Sequence, residues 1–232
     1  MTAGEAQAQK SEAWLLRPST ELSPLEAGRA RGELDEIAAA AGAESLARLE
    51  NFLAGDGPAQ RFLAAVFDLS PFLRDLARRR PRMLDTLFER TVEQRLAEIV
   101  AAVAATPSAE NVSEASLMME LRLLKAEAHF LIALAELAGE AGTALTVRRL
   151  SHLAGACVSA AVDFLLREAH GQGKLKLPDP HEPARDCGWI VLGMGKLGAH
   201  ELNFSSDIDL VVFFDPKAPA ILDAYGATDL FS

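Results

Sequence analysis

The chain has 232 residues, half of them hydrophobic, which is enough for one domain and a portion of a second around a sizeable core. Its formal charge of -10, from 23 basic and 33 acidic residues, argues against a nucleic-acid partner, because binding a phosphate backbone needs an excess of Lys and Arg to release counterions. No run approaches the roughly 18 apolar residues of a membrane span, and Met1 to Lys10 holds no signal-like apolar core. The only cysteines, Cys157 and Cys187, read as reduced thiols, Cys157 as a small buried one, so a cytoplasmic protein without membrane or nucleic-acid partners is expected.

Residues 1–22 are polar and without period, and read as a flexible leader. Apolar positions then return every three or four residues through a helical region, 23–172. Shorter helices are predicted at about 24–41, 43–54, 58–68 and 71–79. A stripe from Met83 through Leu87, Val92 and Ile99 to Val103 predicts a longer one, opened by Pro81 and closed by Thr106-Pro107. Another is expected from Ser113 as cap to Glu140, stopped by Gly139 and Gly142, and a third from near Thr146 to Gly171. The basic run Arg78-Arg79-Arg80 suits the end of a helix, where cations meet the negative pole of its dipole.

At Gly171 the pattern changes. Residues 173–186, with Pro178, Pro180 and Pro183, read as an extended connector, and residues 187–232 as the start of a different, sheet-containing domain. Trp189 to Leu192 is an apolar run of strand length, and Asp207 to Phe214 a second, rich in β-branched and aromatic residues. The expected fold class is mainly α with a C-terminal α/β portion.

Between the strands lie Gly193, Gly195, Lys196 and Gly198, then Asn203, Ser205, Ser206, Asp207 and Asp209. Glycines let backbone approach a phosphate closely, and Lys196 adds positive charge. On a strand, Asp207 and Asp209 project from one face while Ile208 and Leu210 face the core. Two adjacent carboxylates repel unless they share a cation, and Mg²⁺ takes carboxylate and phosphate oxygens together. Taken alone, an Asp-x-Asp tripeptide is at least as often a solvated strand face, and the glycine-lysine cluster is what shifts the reading towards phosphoryl chemistry. The glycines also match a dinucleotide fingerprint literally, but only Ala199 to Phe204 separate Gly198 from the serines, too few for the full helix that fold requires. Leu197 after the lysine excludes a Walker loop. His200 reads as an exposed surface histidine, and the remaining histidines have no metal-ligand spacing.

A strand, a glycine turn, about a dozen residues and Asp-x-Asp on a second strand resemble the DNA polymerase β-like nucleotidyltransferases. Within them, the string from Leu192 to Gly198 followed by Glu201 to Leu210 is similar to the signature of glutamine synthetase adenylyltransferases, with Ala199 where that family is expected to carry glycine. The resemblance implies a tandem enzyme that adds AMP to glutamine synthetase and removes it. By position the match is to the amino-terminal domain, which phosphorolyses adenylyl-tyrosine and releases ADP. It implies that Asp207 and Asp209 are catalytic and bind Mg²⁺. It further implies that Gly193, Gly195, Lys196, Gly198, Asn203, Ser205 and Ser206 bind the nucleotide and its phosphates, with ATP or ADP as nucleotide, glutamine synthetase as partner and a PII signal protein as a further one. The superfamily needs a third carboxylate on a later strand. Asp215 lies on the same strand, and Asp223 and Asp229 sit in an Ala- and Gly-rich tail, so the chain reads as truncated and weak or inactive by itself. The competing expectation is a non-catalytic helical module that docks glutamine synthetase or PII.

Overall fold

The computed structural model describes residues 18–108 and 112–222; Asp223 and Asp229 lie outside the described residues. The chain is mainly α-helical with a small C-terminal sheet, and it divides into two compact units. The first comprises Met1–Ile99 and Lys125–Thr146, the second Val100–Leu124 and Val147–Ser232.

Among the described residues, the helices ahead of the sheet are α1 (Ala27–Ala43), α2 (Ala47–Leu53), α3 (Pro58–Leu69), α4 (Pro71–Arg79), α5 (Arg82–Asp85), α6 (Val92–Ala105), α7 (Glu114–Leu137) and α8 (Thr143–Gly171). Four short helices at the start fall where periodicity placed them, and Pro58 and Pro71 each open one because a first-turn residue needs no N–H partner. The stripe from Met83 to Val103 is not one helix. It breaks into α5, a 3₁₀ turn at Thr86–Phe88, and α6. The cause is a capping box: Thr91 Oγ1 accepts from the Gln94 N–H at 3.1 Å and Gln94 Oε1 accepts from the Thr91 N–H at 3.0 Å, which starts a new helix at Val92.

Asp68 organises the first unit. Its carboxylate is fully buried and accepts from the backbone N–H groups of Leu25 (2.6 Å) and Glu26 (3.3 Å), just before α1, and from Arg29 Nε at 2.5 Å. The Arg29 hydrogen bond, helped by these N–H groups, holds the carboxyl below its usual pKa range against the opposing effect of burial. Helix α7 ends at Leu137, and Gly139 just beyond it has a φ of +78° that only glycine adopts freely. There the Ser19 N–H and hydroxyl both donate to the Ala138 carbonyl, and the Thr20 hydroxyl donates to that of Leu137, so residues 18–20 satisfy carbonyls that the helix leaves open.

In the second unit the proline-rich connector folds back onto α8. Leu175, Leu177 and Cys187 bury against Leu166, flanked by Val162, Ala169 and Trp189. Arg167 Nε donates to the Pro180 carbonyl at 3.0 Å, and the Leu177 N–H donates to His170 Nδ1 at 3.2 Å. Contrary to the sequence expectation, one helix, α8, has the length and apolar content of a membrane span, with mean hydropathy 1.3 over 18 residues. A third of that window is buried, and from this helix Leu166, Val162 and Ala169 enter the local core. Cys157 is half-buried rather than buried, whereas Cys187 is enclosed, its thiol donating to the Ala184 carbonyl.

Among the described residues the sheet has two strands, β1 (Trp189–Gly193) and β2 (Leu210–Phe214), antiparallel with Trp189 opposite Phe214 and Gly193 opposite Leu210. Gly188 precedes β1 with φ +76°, and a Cβ there would stand 2.4 Å from that of Ala218, so this entry to the sheet accepts glycine alone.

Candidate functional site

The turn after β1 is a single helical turn, α9 (Gly195–Gly198), in place of the full helix of a dinucleotide fold. Its geometry is set by the glycines. Gly195 has φ +52°, and a Cβ on Gly198 would lie 2.3 Å from the Gly193 carbonyl oxygen, a contact no side chain survives. Ala199 sits in the right-handed helical region at φ -81°, so alanine in place of glycine costs nothing there. His200, exposed as expected, closes the turn at φ +59°.

Asp209 meets this turn directly. The Met194 N–H donates to the Asp209 carbonyl at 2.8 Å, continuing the register of the hairpin by one residue, and Asp209 Oδ2 stands 3.4 Å from the position of a Gly195 Cβ. A Cβ would only touch the carboxylate at that distance, so it is the positive φ that calls for glycine at 195. Asp207 lies two residues upstream, exposed like Asp209.

The second strand begins at Leu210, not at Asp207 as the apolar run predicts. β1 leaves the ladder where Gly195 turns into α9, so residues before Asp209 have nothing to pair with. Ser205, at φ +59°, then bends the chain, with the Ser206 N–H donating to the Asn203 carbonyl at 3.3 Å. Ile208 and Leu210 are exposed rather than in the core, because Ile208 lies past the end of the ladder and Leu210 faces Gly193, which has no side chain.

Asn203 joins the two halves of the motif. Its Oδ1 accepts from Lys196 Nζ at 3.4 Å and from the Ser206 hydroxyl, so the lysine of the turn and the second serine share one acceptor. The structure therefore gathers Gly193, Gly195, Lys196, Gly198, Asn203 and Ser206 around one turn, with Asp209 against it. Among the described residues no group of three or more His, Cys, Asp or Glu side chains is placed to hold a metal ion. By donor chemistry alone, a pair of carboxylates suits Mg²⁺, which usually takes one or two of them and completes its shell with water and substrate phosphate.

Beside the turn, a groove of about 690 Å³ runs along α8 and β1, lined by Ser151, His152, Asp163, Val191, Leu197 and His200 among others. Burial in its wall raises the Asp163 carboxyl above its usual range, with Arg167 opposing the shift. Ser151 is the residue that sequence reasoning missed. It lies inside an apolar stripe of α8, and its only sequence signal is a hydroxyl among buried neighbours.

Residues 60–229 match the family model described as glutamate-ammonia ligase adenylyltransferase. The chain is similar to the bifunctional glutamine synthetase adenylyltransferase/adenylyl-removing enzyme of Mesorhizobium japonicum, with 72% identity over 219 residues, 94% of this chain and 22% of the relative. The enzyme of that name from Brucella suis is 49% identical over 91% of this chain and 21% of its own length, and that of Bartonella quintana 43% identical over 86% and 20%. The chain thus spans about a fifth of the length of these curated relatives. No solved structure matches it significantly. With the family match covering most of its length and the glycine turn and paired aspartates inside the matched region, this chain belongs to the glutamate-ammonia ligase adenylyltransferase family.

Proposed function

We infer that residues 187–222 form the nucleotide-handling part of a domain that removes AMP from a tyrosine of glutamine synthetase by phosphorolysis. In that reaction an orthophosphate oxygen bonds to the adenylyl phosphorus, the bond to the tyrosyl oxygen breaks, and ADP leaves the regenerated tyrosine. The single observation that carries the reading is that Lys196 of the glycine turn and Ser206 share the Asn203 acceptor while Asp209 lies against the same turn at Gly195.

Lys196 would supply positive charge to phosphate oxygens, the glycines would let them approach the backbone, and Ser205 and Ser206 would contact the nucleotide. Asp207 and Asp209 would hold Mg²⁺, which when bound neutralises charge building on the phosphoryl oxygens. The setting is the bacterial cytoplasm, with glutamine synthetase as partner, a PII signal protein as regulator and nitrogen assimilation as the process controlled.

With two carboxylates supplied, the 232-residue chain is expected to bind Mg²⁺ with ADP yet to catalyse phosphorolysis weakly or not at all. Calorimetric titration with Mg²⁺ and ADP tests the binding: Asp207→Asn combined with Asp209→Asn should weaken it at least tenfold. Binding indifferent to both substitutions, or none by the unaltered chain, overturns the assignment. Turnover of adenylylated glutamine synthetase by the purified chain at an enzymatic rate would contradict the expected inactivity.

A further inference from the structure

Ser151 of helix α8 bonds to the loop that carries the site. Ser151 is 2% exposed, and its Oγ donates to the Val147 carbonyl one turn earlier at 2.8 Å. The same oxygen accepts from the backbone N–H of Leu202, 51 residues further on, at 3.0 Å. Leu202 is itself buried, as is Leu197 on the turn.

This bond falls in the middle of the segment that connects the glycine turn to the serines and aspartates. On one side of Leu202, the Glu201 N–H donates to the Lys196 carbonyl at 2.8 Å. On the other, Asn203 accepts from Lys196 and Ser206. Three successive residues are thus tied down, two of them to the turn and its neighbours and one to α8. A buried N–H at Leu202 has no water to fall back on if the serine oxygen is removed, so the segment must move to satisfy it.

We propose that Ser151 is a positioning residue for the nucleotide site: through Leu202 it fixes where Asn203, and with it Lys196 and Ser206, stand relative to the aspartates. The proposal rests on the nucleotide reading given above and adds to it a determinant outside the motif. A serine at this point of a helix can bond its own i-4 carbonyl and still offer lone pairs outward, which alanine cannot do. Threonine keeps the hydroxyl that alanine removes.

The test compares three variants of the 232-residue chain, Ser151→Ala, Ser151→Thr and Ala160→Gly. The last weakens the same helix at another buried position without touching the loop. Two quantities are measured, the hydrogen-exchange rate of the Leu202 amide and the affinity for ADP with Mg²⁺. Ser151→Ala should speed Leu202 exchange at least tenfold and weaken ADP binding about five- to thirtyfold. Ser151→Thr should restore both to within about threefold, and Ala160→Gly should leave affinity unchanged while lowering the melting temperature. Unchanged affinity in Ser151→Ala, or an equal loss in Ala160→Gly, overturns the proposal, since the second outcome would reduce Ser151 to a contributor to helix stability. If the unaltered chain binds no ADP, the nucleotide reading falls. The Leu202 exchange rate then decides the clamp by itself, and unchanged protection in Ser151→Ala refutes it.

Discussion

The first unit and the hairpin of the second solve the problem of apolar surface in opposite ways. The largest fully buried side chains, among them Phe67, Phe130, Leu34, Ile37 and Leu63, all belong to the first unit, where amphipathic helices close over one another. In the hairpin, Ile190, Leu192, Val211 and Phe213 share one sheet face, since directly opposed residues point the same way, and Ile190 and Phe213 remain 51% and 52% exposed. The contrast shows that a site's local geometry and the burial of its surroundings have separate causes. The glycine turn takes its shape from steric exclusion at Gly195 and Gly198, which acts whether or not the sheet beside it is covered.

The largest expected effect separates the two regions by stability. Phe67→Ala should destabilise the chain by about 3 to 5 kcal/mol in urea unfolding, from lost transfer energy and the cavity left behind, whereas Phe213→Ala should change it by less than about 0.5 kcal/mol. Equal losses would mean that the hairpin face is covered in solution. Next comes the turn: Gly198→Ala forces a Cβ against the Gly193 carbonyl and should cost about 1 to 3 kcal/mol, with the damage visible as altered amide shifts confined to 193–203. Shifts spread through the first unit would contradict the independence drawn above.

A smaller effect lies in pH. Burial, with Lys125 contributing, pushes the His129 imidazole of the first unit down to about 4. Its folded pKa lies below the unfolded value near 6.5, so between those values the unfolded chain binds more protons and stability falls as pH falls. Because the ring is partly solvated, the loss is roughly 1 to 2 kcal/mol from pH 6.5 to 4, and His129→Gln should flatten that part of the unfolding curve. Asp68 acts in the same direction lower down: its depressed carboxyl contributes stability above the ordinary carboxylate range, and that contribution is lost as pH drops through the folded value. The smallest effect is at a helix start. Thr91→Ala removes one half of the capping box and should cost about 1 kcal/mol, measured as lower helicity of α6 by hydrogen exchange.

Several of these features were legible before any coordinates. Pro58, Pro71, Ser113, Gly139 and Gly171 marked helix ends because each acts on its own backbone or its nearest neighbours. The Thr91-Gln94 box was equally local, yet the apolar stripe running through it masked the break, since periodicity records which face is buried and not whether the helix is continuous. At the site, the spacing of Gly193, Gly195 and Gly198 announced a close backbone approach, and the short gap to Ser205 announced that no long helix could follow.

By itself, then, the sequence determined the helical character of residues 27–171, the strand runs and the glycine turn, because period, proline and missing Cβ atoms act over a few bonds. The tertiary structure alone decided that β2 starts at Leu210, that the connector lies on Leu166, and that the Leu202 N–H finds its acceptor on a helix 51 residues away. Such outcomes depend on which partner stands opposite a given backbone group. That is fixed by the packing of distant segments, which no local pattern encodes.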